Sequence, residues 1–171
     1  MANADKPAGF RVGYTKHGGP AALNRYWASG TGAIYKGDLV TTASGDAGKV
    51  MTCTASTDIP TGIASHYSAG TSTSMEVLVY DDLKNTIFIG QVSTTEISGS
   101  SLCHAYYDTI VGVSTTTQQS IHEINGAGSS NDVIYAIDKV DRPDNAWGQY
   151  VDLYVEFVVD PRAHSLTVAS S

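Results

Sequence analysis

The stretch Ala33-Ile34-Tyr35-Lys36-Gly37-Asp38-Leu39-Val40 opens the part of the chain that decides its fold. It continues through Gly48-Lys49-Val50-Met51 and Gly62-Ile63-Ala64, and closes on Met75-Glu76-Val77-Leu78-Val79-Tyr80-Asp81-Asp82. Four short β-prone runs are separated by clusters of Gly, Asp, Ser and Thr. Such spacing predicts an antiparallel meander or a small barrel rather than helices or a βαβ unit. The first strand is expected over 33–40, with Thr41-Thr42 able to continue it. The others are expected over 49–54, 62–67 and 75–80, the last as an unbroken apolar run that suits a buried strand.

Downstream the same pattern recurs. A strand is expected over 86–92, where Thr86, Phe88 and Gly90 alternate with Ile87, Ile89 and Gln91. Residues 93–101 read as a loop or a short helical turn, and 102–113 fits a helix or a strand equally well. Strands are expected over 121–124 and 132–140, with turns at 125–131 and 141–148. The last strand, 149–159, places Val151, Leu153, Val155 and Phe157 on one side and Tyr150, Tyr154 and Val158 on the other. With strands recurring throughout and no internal repeat, the chain reads as all-β, a single barrel or sandwich body over 33–160. A polar tail is expected over 161–171.

Upstream, Pro7, Gly9, Gly13, Gly18, Gly19, Pro20, Gly30 and Gly32 interrupt any periodicity. That density opposes a long helix and a long strand alike. Yet Phe10, Val12, Tyr14, Leu23, Tyr26 and Trp27 are too apolar for a disordered tail. Residues 1–32 are therefore expected to be an extended N-terminal arm, ordered by packing on a partner or on their own domain. Through Lys36 the chain carries five cations against Asp5 alone, a net +4 in a chain of net −7, so the remainder carries −11. That imbalance is either chance scatter or a basic arm that docks on an acidic surface.

At 171 residues and 42% hydrophobic, the chain has enough apolar material for one core. Only 16% of residues are charged, and Ser and Thr, 18 of each, fill the gap. A weakly charged polar surface suits pleated, half-buried β structure. Ten Tyr and two Trp suit interfaces that combine apolar area with hydrogen bonding. Met1–Pro7 lacks the apolar stretch of a signal peptide, and no run approaches the ~18 apolar residues that span a membrane. A protein made and kept in a cytoplasm, or in something assembled there, is expected, with no membrane partner. Five spread cations beside an acidic body, with no recognisable motif, speak against nucleic acid.

Residue patterns for chemistry are weak. Cys53 and Cys103 have no metal or redox spacing; they could pair with each other, but in a chain of this size they read as free thiols. Cys53, Cys103, His104 and His122 could form a zinc site only by accident of folding. Asp138, Asp141 and Asp144 lack the alternate-residue ligands and glycine of a calcium loop, and read as a solvated turn with a local Arg pair. Glu76 and Glu123 are too isolated to argue for a glycosidase pair. Nucleophile elbows and phosphate loops are absent from the sequence. No catalytic, cofactor-binding or metal-binding residue is expected.

The quoted residues resemble a family. Lys6-Pro7-Ala8-Gly9-Phe10-Arg11, Gly18-Gly19 and Asn24-Arg25-Tyr26 are similar to the N-terminus of small virion proteins of tailed bacteriophages. The run Ala33–Val40, Thr61-Gly62-Ile63-Ala64, Asp144-Asn145-Ala146-Trp147-Gly148 and the strand that follows strengthen the resemblance, which is to capsid decoration, or cement, proteins. The stretch 93–131 departs from the pattern. The resemblance implies a non-enzymatic protein on the outside of the capsid that bridges major capsid protein subunits, as a homo-oligomer, dimer or trimer. Phe10, Arg11, Tyr14, Arg25, Tyr26 and Trp27 are the expected capsid-docking residues. Deleting residues 1–32 should then abolish docking and leave the body folded. Two alternatives stand beside this reading. One is another virion component, in the tail or a head fibre, binding glycans through tyrosines of 93–131. The other is a small trimeric β-barrel enzyme with acids drawn from different subunits.

Overall fold

The structure, a computed structural model, describes residues 3–6, 8–44, 48–93, 103–112, 119–127 and 131–158. The expected tail over 161–171 lies outside the described residues, as does most of the 93–101 loop. Among the described residues there are eleven strands and no helix. In chain order they are β1 (Arg11–Thr15), β2 (Asn24–Ala28), β3 (Leu39–Thr42), β4 (Lys49–Thr52), β5 (Gly62–Ala64) and β6 (Glu76–Tyr80). There follow β7 (Thr86–Gln91), β8 (Tyr106–Ile110), β9 (Glu123–Asn125), β10 (Ile134–Lys139) and β11 (Asp152–Phe157).

The strands form two bodies. β2-β4-β3-β5-β6 closes into a five-stranded barrel, with β6 returning to β2 so that Tyr26 lies opposite Val77. β1-β7-β11-β10-β8-β9 forms a six-stranded antiparallel sheet. Closure removes the exposed strand edges of the barrel, and the sheet packs against its outside.

Side-chain alternation explains how one chain serves both cores. Val40 of β3 and Ala64 of β5 join Val50, Val77 and Val79 in the barrel interior. Their neighbours Leu39 and Ile63 point the other way, into a second cluster with Phe88, Leu153, Val155 and Phe157 of the sheet. β3 and β5 are thus covered on both faces where they cross the core: Leu39 and Val40 are both buried, as are all three residues of β5. β11 is covered on one face, and the expected alternation holds: Val151, Leu153, Val155 and Phe157 are buried, whereas Val158 is exposed.

One expected strand is shortened, and one open stretch takes its form. The strand expected over 33–40 begins only at Leu39, because residues 35–38 form a tight turn. The Tyr35 amide donates to Asp38 Oδ2 at 2.8 Å and the Asp38 amide donates to Tyr35 O at 3.0 Å. Gly37 at φ +90° supplies a conformation that a side chain disfavours. The undecided stretch 102–113 holds strand β8, paired with β10 and β9.

The larger change concerns the N-terminal segment. Residues expected as an arm apart from a body over 33–160 instead supply β1 to the sheet, opposite β7, and β2 to the barrel, between β4 and β6. Unpaired extended backbone would leave its amides and carbonyls to water, and the ladders satisfy them. Phe10 is 2% exposed and sits edge-on to Phe157, with centroids 5.4 Å apart. It lies over Gly90, where an added Cβ would come within 2.6 Å of the ring. Burying such a ring contributes about 1.5–3 kcal/mol.

Candidate functional site

The six expected docking residues divide between the two bodies. Phe10 is in the core and cannot meet a partner. Arg11 lies on β1 and its Nη2 donates to Asp152 Oδ2 at 2.7 Å. Tyr14 is 48% exposed, with its ring edge-on to Tyr154 at 5.6 Å. On the barrel, Arg25 is exposed and pairs with Glu76 across β2 and β6 at 3.1 Å. Tyr26 is half-buried, and its hydroxyl donates to Asp81 at 2.9 Å. Trp27 is 43% exposed.

The segment from β1 to β2 joins the sheet to the barrel over the surface. Residues 16–20 are exposed throughout, and a Cβ at Gly18 or Gly19 would meet nothing. The span therefore presents Tyr14, Leu23 and Trp27 to solvent while its ends are held by two separate ladders. On the barrel side, exposed Leu23 and Trp27 stand two residues either side of Arg25, a composition of the kind found at protein interfaces.

A second aromatic group lies on the outer face of the sheet. Tyr154 reaches across β7 to β1, where an added Cβ at Gly13 would lie 3.2 Å from its ring. Gly13 sits at the irregularity in the β1–β7 register, so the missing side chain leaves room for the ring. Farther along, Tyr106 packs on Tyr135 with centroids 5.0 Å apart, and the Tyr135 hydroxyl lies 3.1 Å from His104 Nδ1. Tyr106 is 49% exposed. Tyr67, beside the barrel, is 56% exposed against Tyr35. Leu23, Tyr67 and the outer-face tyrosines escaped the docking set, because their exposure depends on strand pairing that sequence spacing does not reveal.

Next to Arg11 the outer face carries a polar cluster. Arg11 donates to Asp152 Oδ2 at 2.7 Å, and Arg142 Nη2 forms an ion pair with the same oxygen at 2.8 Å. Arg142 also lies 2.9 Å from Asp144, in the turn that was expected to hold a local Arg pair. Asn145 fixes the backbone here: its Oδ1 accepts the Asp152 amide and its Nδ2 donates to Val140 O and Asp152 O.

The titratable groups in the interior have structural roles. Both cysteines are free. Burial pushes the Cys53 thiol well above its ordinary range, and burial with Asp138 nearby raises that of Cys103. Neither is poised as a thiolate nucleophile. His122 and Asp38 are buried together, with Nε2 3.8 Å from Oδ1. Among the described residues, no three His, Cys, Asp or Glu side chains converge as metal ligands.

Comparison with protein-family models, with curated proteins and with solved structures gives no match.

Proposed function

We propose that this chain is a capsid decoration protein of a tailed bacteriophage, binding the outer surface of the shell and bridging neighbouring major capsid protein subunits. One observation carries the reading beyond the sequence resemblance. The span from Tyr14 to Trp27 leaves Tyr14, Leu23 and Trp27 uncovered, although both its ends are locked into ladders. Tyr14, Arg25 and Trp27 sit on β1 and β2 and Leu23 directly precedes β2, and side chains held in this way lose little conformational entropy on binding. The docking set therefore becomes Tyr14, Leu23, Arg25 and Trp27, with Phe10 reassigned to the core.

A decoration protein gains from repetition. Many copies on a symmetric lattice, or a homo-oligomer contacting several subunits, turn modest single contacts into firm attachment. A protein that binds the assembled shell and not its separate subunits favours assembly by mass action. On this reading the protein resides on the virion exterior after synthesis in the host cytoplasm, has no enzymatic role, and engages neither nucleic acid nor membrane. The test is sedimentation of the purified protein with undecorated heads built from the major capsid protein of the same phage. Recovery in the head fraction at a saturable ratio supports the proposal, and absence from that fraction contradicts it.

A second reading, a glycan-binding virion component, is favoured by Tyr106, exposed on β8 against Tyr135. Aromatic faces of this kind stack on sugar rings. Binding to a glycan array that is lost in Tyr106→Ala would select this reading.

A further inference from the structure

A cavity of about 310 Å³ opens where the N-terminal residues pass the end of the sheet, lined by Lys6, Arg11, Gln91, Arg142, Tyr150 and Asp152 among others. From its geometry we infer that it is a binding site for an oxyanion, a carboxylate or a phosphate group. The inference does not depend on the capsid reading.

Charge is the first ground. Lys6, Arg11 and Arg142 line the cavity against Asp152 and Asp144, leaving an excess of one positive charge in a chain of net −7. Asp144 stands at the rim with its side chain 77% exposed, so water screens its share. Asp152, whose side chain is 4% exposed, faces two guanidiniums through a single oxygen.

Unused donors are the second ground. A guanidinium carries five N–H groups in a fixed fork matched to carboxylate and phosphate. Arg11 uses Nη2 on Asp152. Arg142 likewise turns Nη2 to Asp152, while its buried Nε has no acceptor in hydrogen-bonding geometry, despite Asp144 Oδ1 lying 2.9 Å away. The Lys6 ammonium has no ion-pair partner among the described residues.

The neutral amides of the lining are occupied. Gln91 Oε1 accepts the Lys6 amide, and its Nε2 donates to Ala4 O and Tyr150 O. Asn3 donates to Ala146 O and Gln149 O and accepts the Ala146 amide. What the cavity has left to offer is mainly cationic N–H, and the complement of that is an anionic acceptor. The volume lies at the lower end of the range for small-ligand sites, enough for one such group and a short stem. Because Asn145 holds the Asp152 backbone, the two arginines are positioned before any ligand arrives.

Calorimetric titration of the full chain at low ionic strength tests this with three probes: inorganic phosphate, citrate and a hexaglutamate peptide. Sodium chloride at matched ionic strength is the control. Saturable binding of phosphate or citrate identifies a free small oxyanion as the ligand class. Saturable binding of the peptide alone identifies an acidic side chain of a macromolecular partner. In either case Lys6→Gln should weaken binding about tenfold, the effect of losing roughly 1.4 kcal/mol. Arg142→Gln should weaken it further. Lys6 makes no side-chain contact on which the fold depends, so its variant remains informative even if Arg142→Gln loses stability. No saturable heat with any probe, or equal affinity in wild type and Lys6→Gln, overturns the inference.

Discussion

His122 and Leu39 join the sheet to the barrel through one hydrogen bond: the ring's Nδ1 accepts the Leu39 amide proton at 2.9 Å. Its Nε2 donates to Gly112 O at 3.0 Å, so both ring nitrogens are used and the neutral tautomer is fixed. The ring is fully buried between the start of β3 and the approach to β9. Removing it leaves an amide and a carbonyl unsatisfied in the interior and opens a void. His122→Ala should therefore cost about 2–4 kcal/mol in chemical denaturation. A loss within the scatter of surface substitutions would refute the bridging role.

The same residue sets a pH dependence. Burial lowers the His122 pKa below its ordinary 6.5, against the pull of Asp38. The unfolded chain takes up a proton that the folded chain refuses, so the stability associated with the neutral ring is lost as pH falls through 6.5. Burial raises the Asp38 pKa above its ordinary 3.8, and that group acts in the opposite sense at lower pH. The stability gap between wild type and His122→Gln should accordingly narrow on acidification from about pH 7.5 to about pH 5.5. A gap of constant size would show that the ring does not titrate differently on folding.

Glu123 of β9 carries an opposite signature. Burial, reinforced by Asp5, raises its pKa to about 7 from 4.5, and its Oε1 is buried without a hydrogen-bond partner. A group whose folded pKa is raised adds stability at low pH and loses it as pH rises through about 7. Glu123→Gln, which keeps the shape without the charge, should raise Tm relative to wild type at about pH 8 and bring no gain at about pH 5. Equal shifts at both pH values would contradict the assignment.

Phe10 sets the consequence of truncation. Phe10→Ala should cost about 3–5 kcal/mol, the usual loss for an aromatic ring removed from a packed core. Deleting residues 1–32 removes β1 from the sheet, β2 from the barrel and Phe10 from the core between them. The remainder should lose cooperative thermal unfolding, rather than persist as a folded body. A truncated chain with a sharp transition would restore the view of a detachable arm.

The sequence made the doubly covered and half-covered strands legible, and it failed where pairing overrides composition. β6, β7, β10 and β11 stand out because apolar side chains recur at a period of two or fill the strand outright. β1 and β2 were obscured for a physical reason. Gly13 lies at a register irregularity where Tyr154 needs room, and the inward face of these strands is short, only Val12 on β1 and Tyr26 and Ala28 on β2, so neither strand shows a long apolar stripe. Of the docking set, Tyr14 and Trp27 were legible as aromatics in a region poor in core pattern. Phe10 looked the same in sequence, and its seat over the bare backbone of Gly90 and against Phe157, distant in sequence, makes it core. The Arg11–Asp152–Arg142 cluster joins residues 10 to 141 positions apart, which no local motif encodes.

The most direct measurement is the occupancy of undecorated heads by wild type and by the double variant Tyr14→Ala/Trp27→Ala, read by sedimentation. Both rings are about half exposed, so the variant should unfold within about 1 kcal/mol of wild type. The account predicts saturable head binding by wild type and at least a tenfold (~1.4 kcal/mol) weaker attachment by the folded variant. Equal occupancy by the two proteins, or no attachment by wild type, would contradict it.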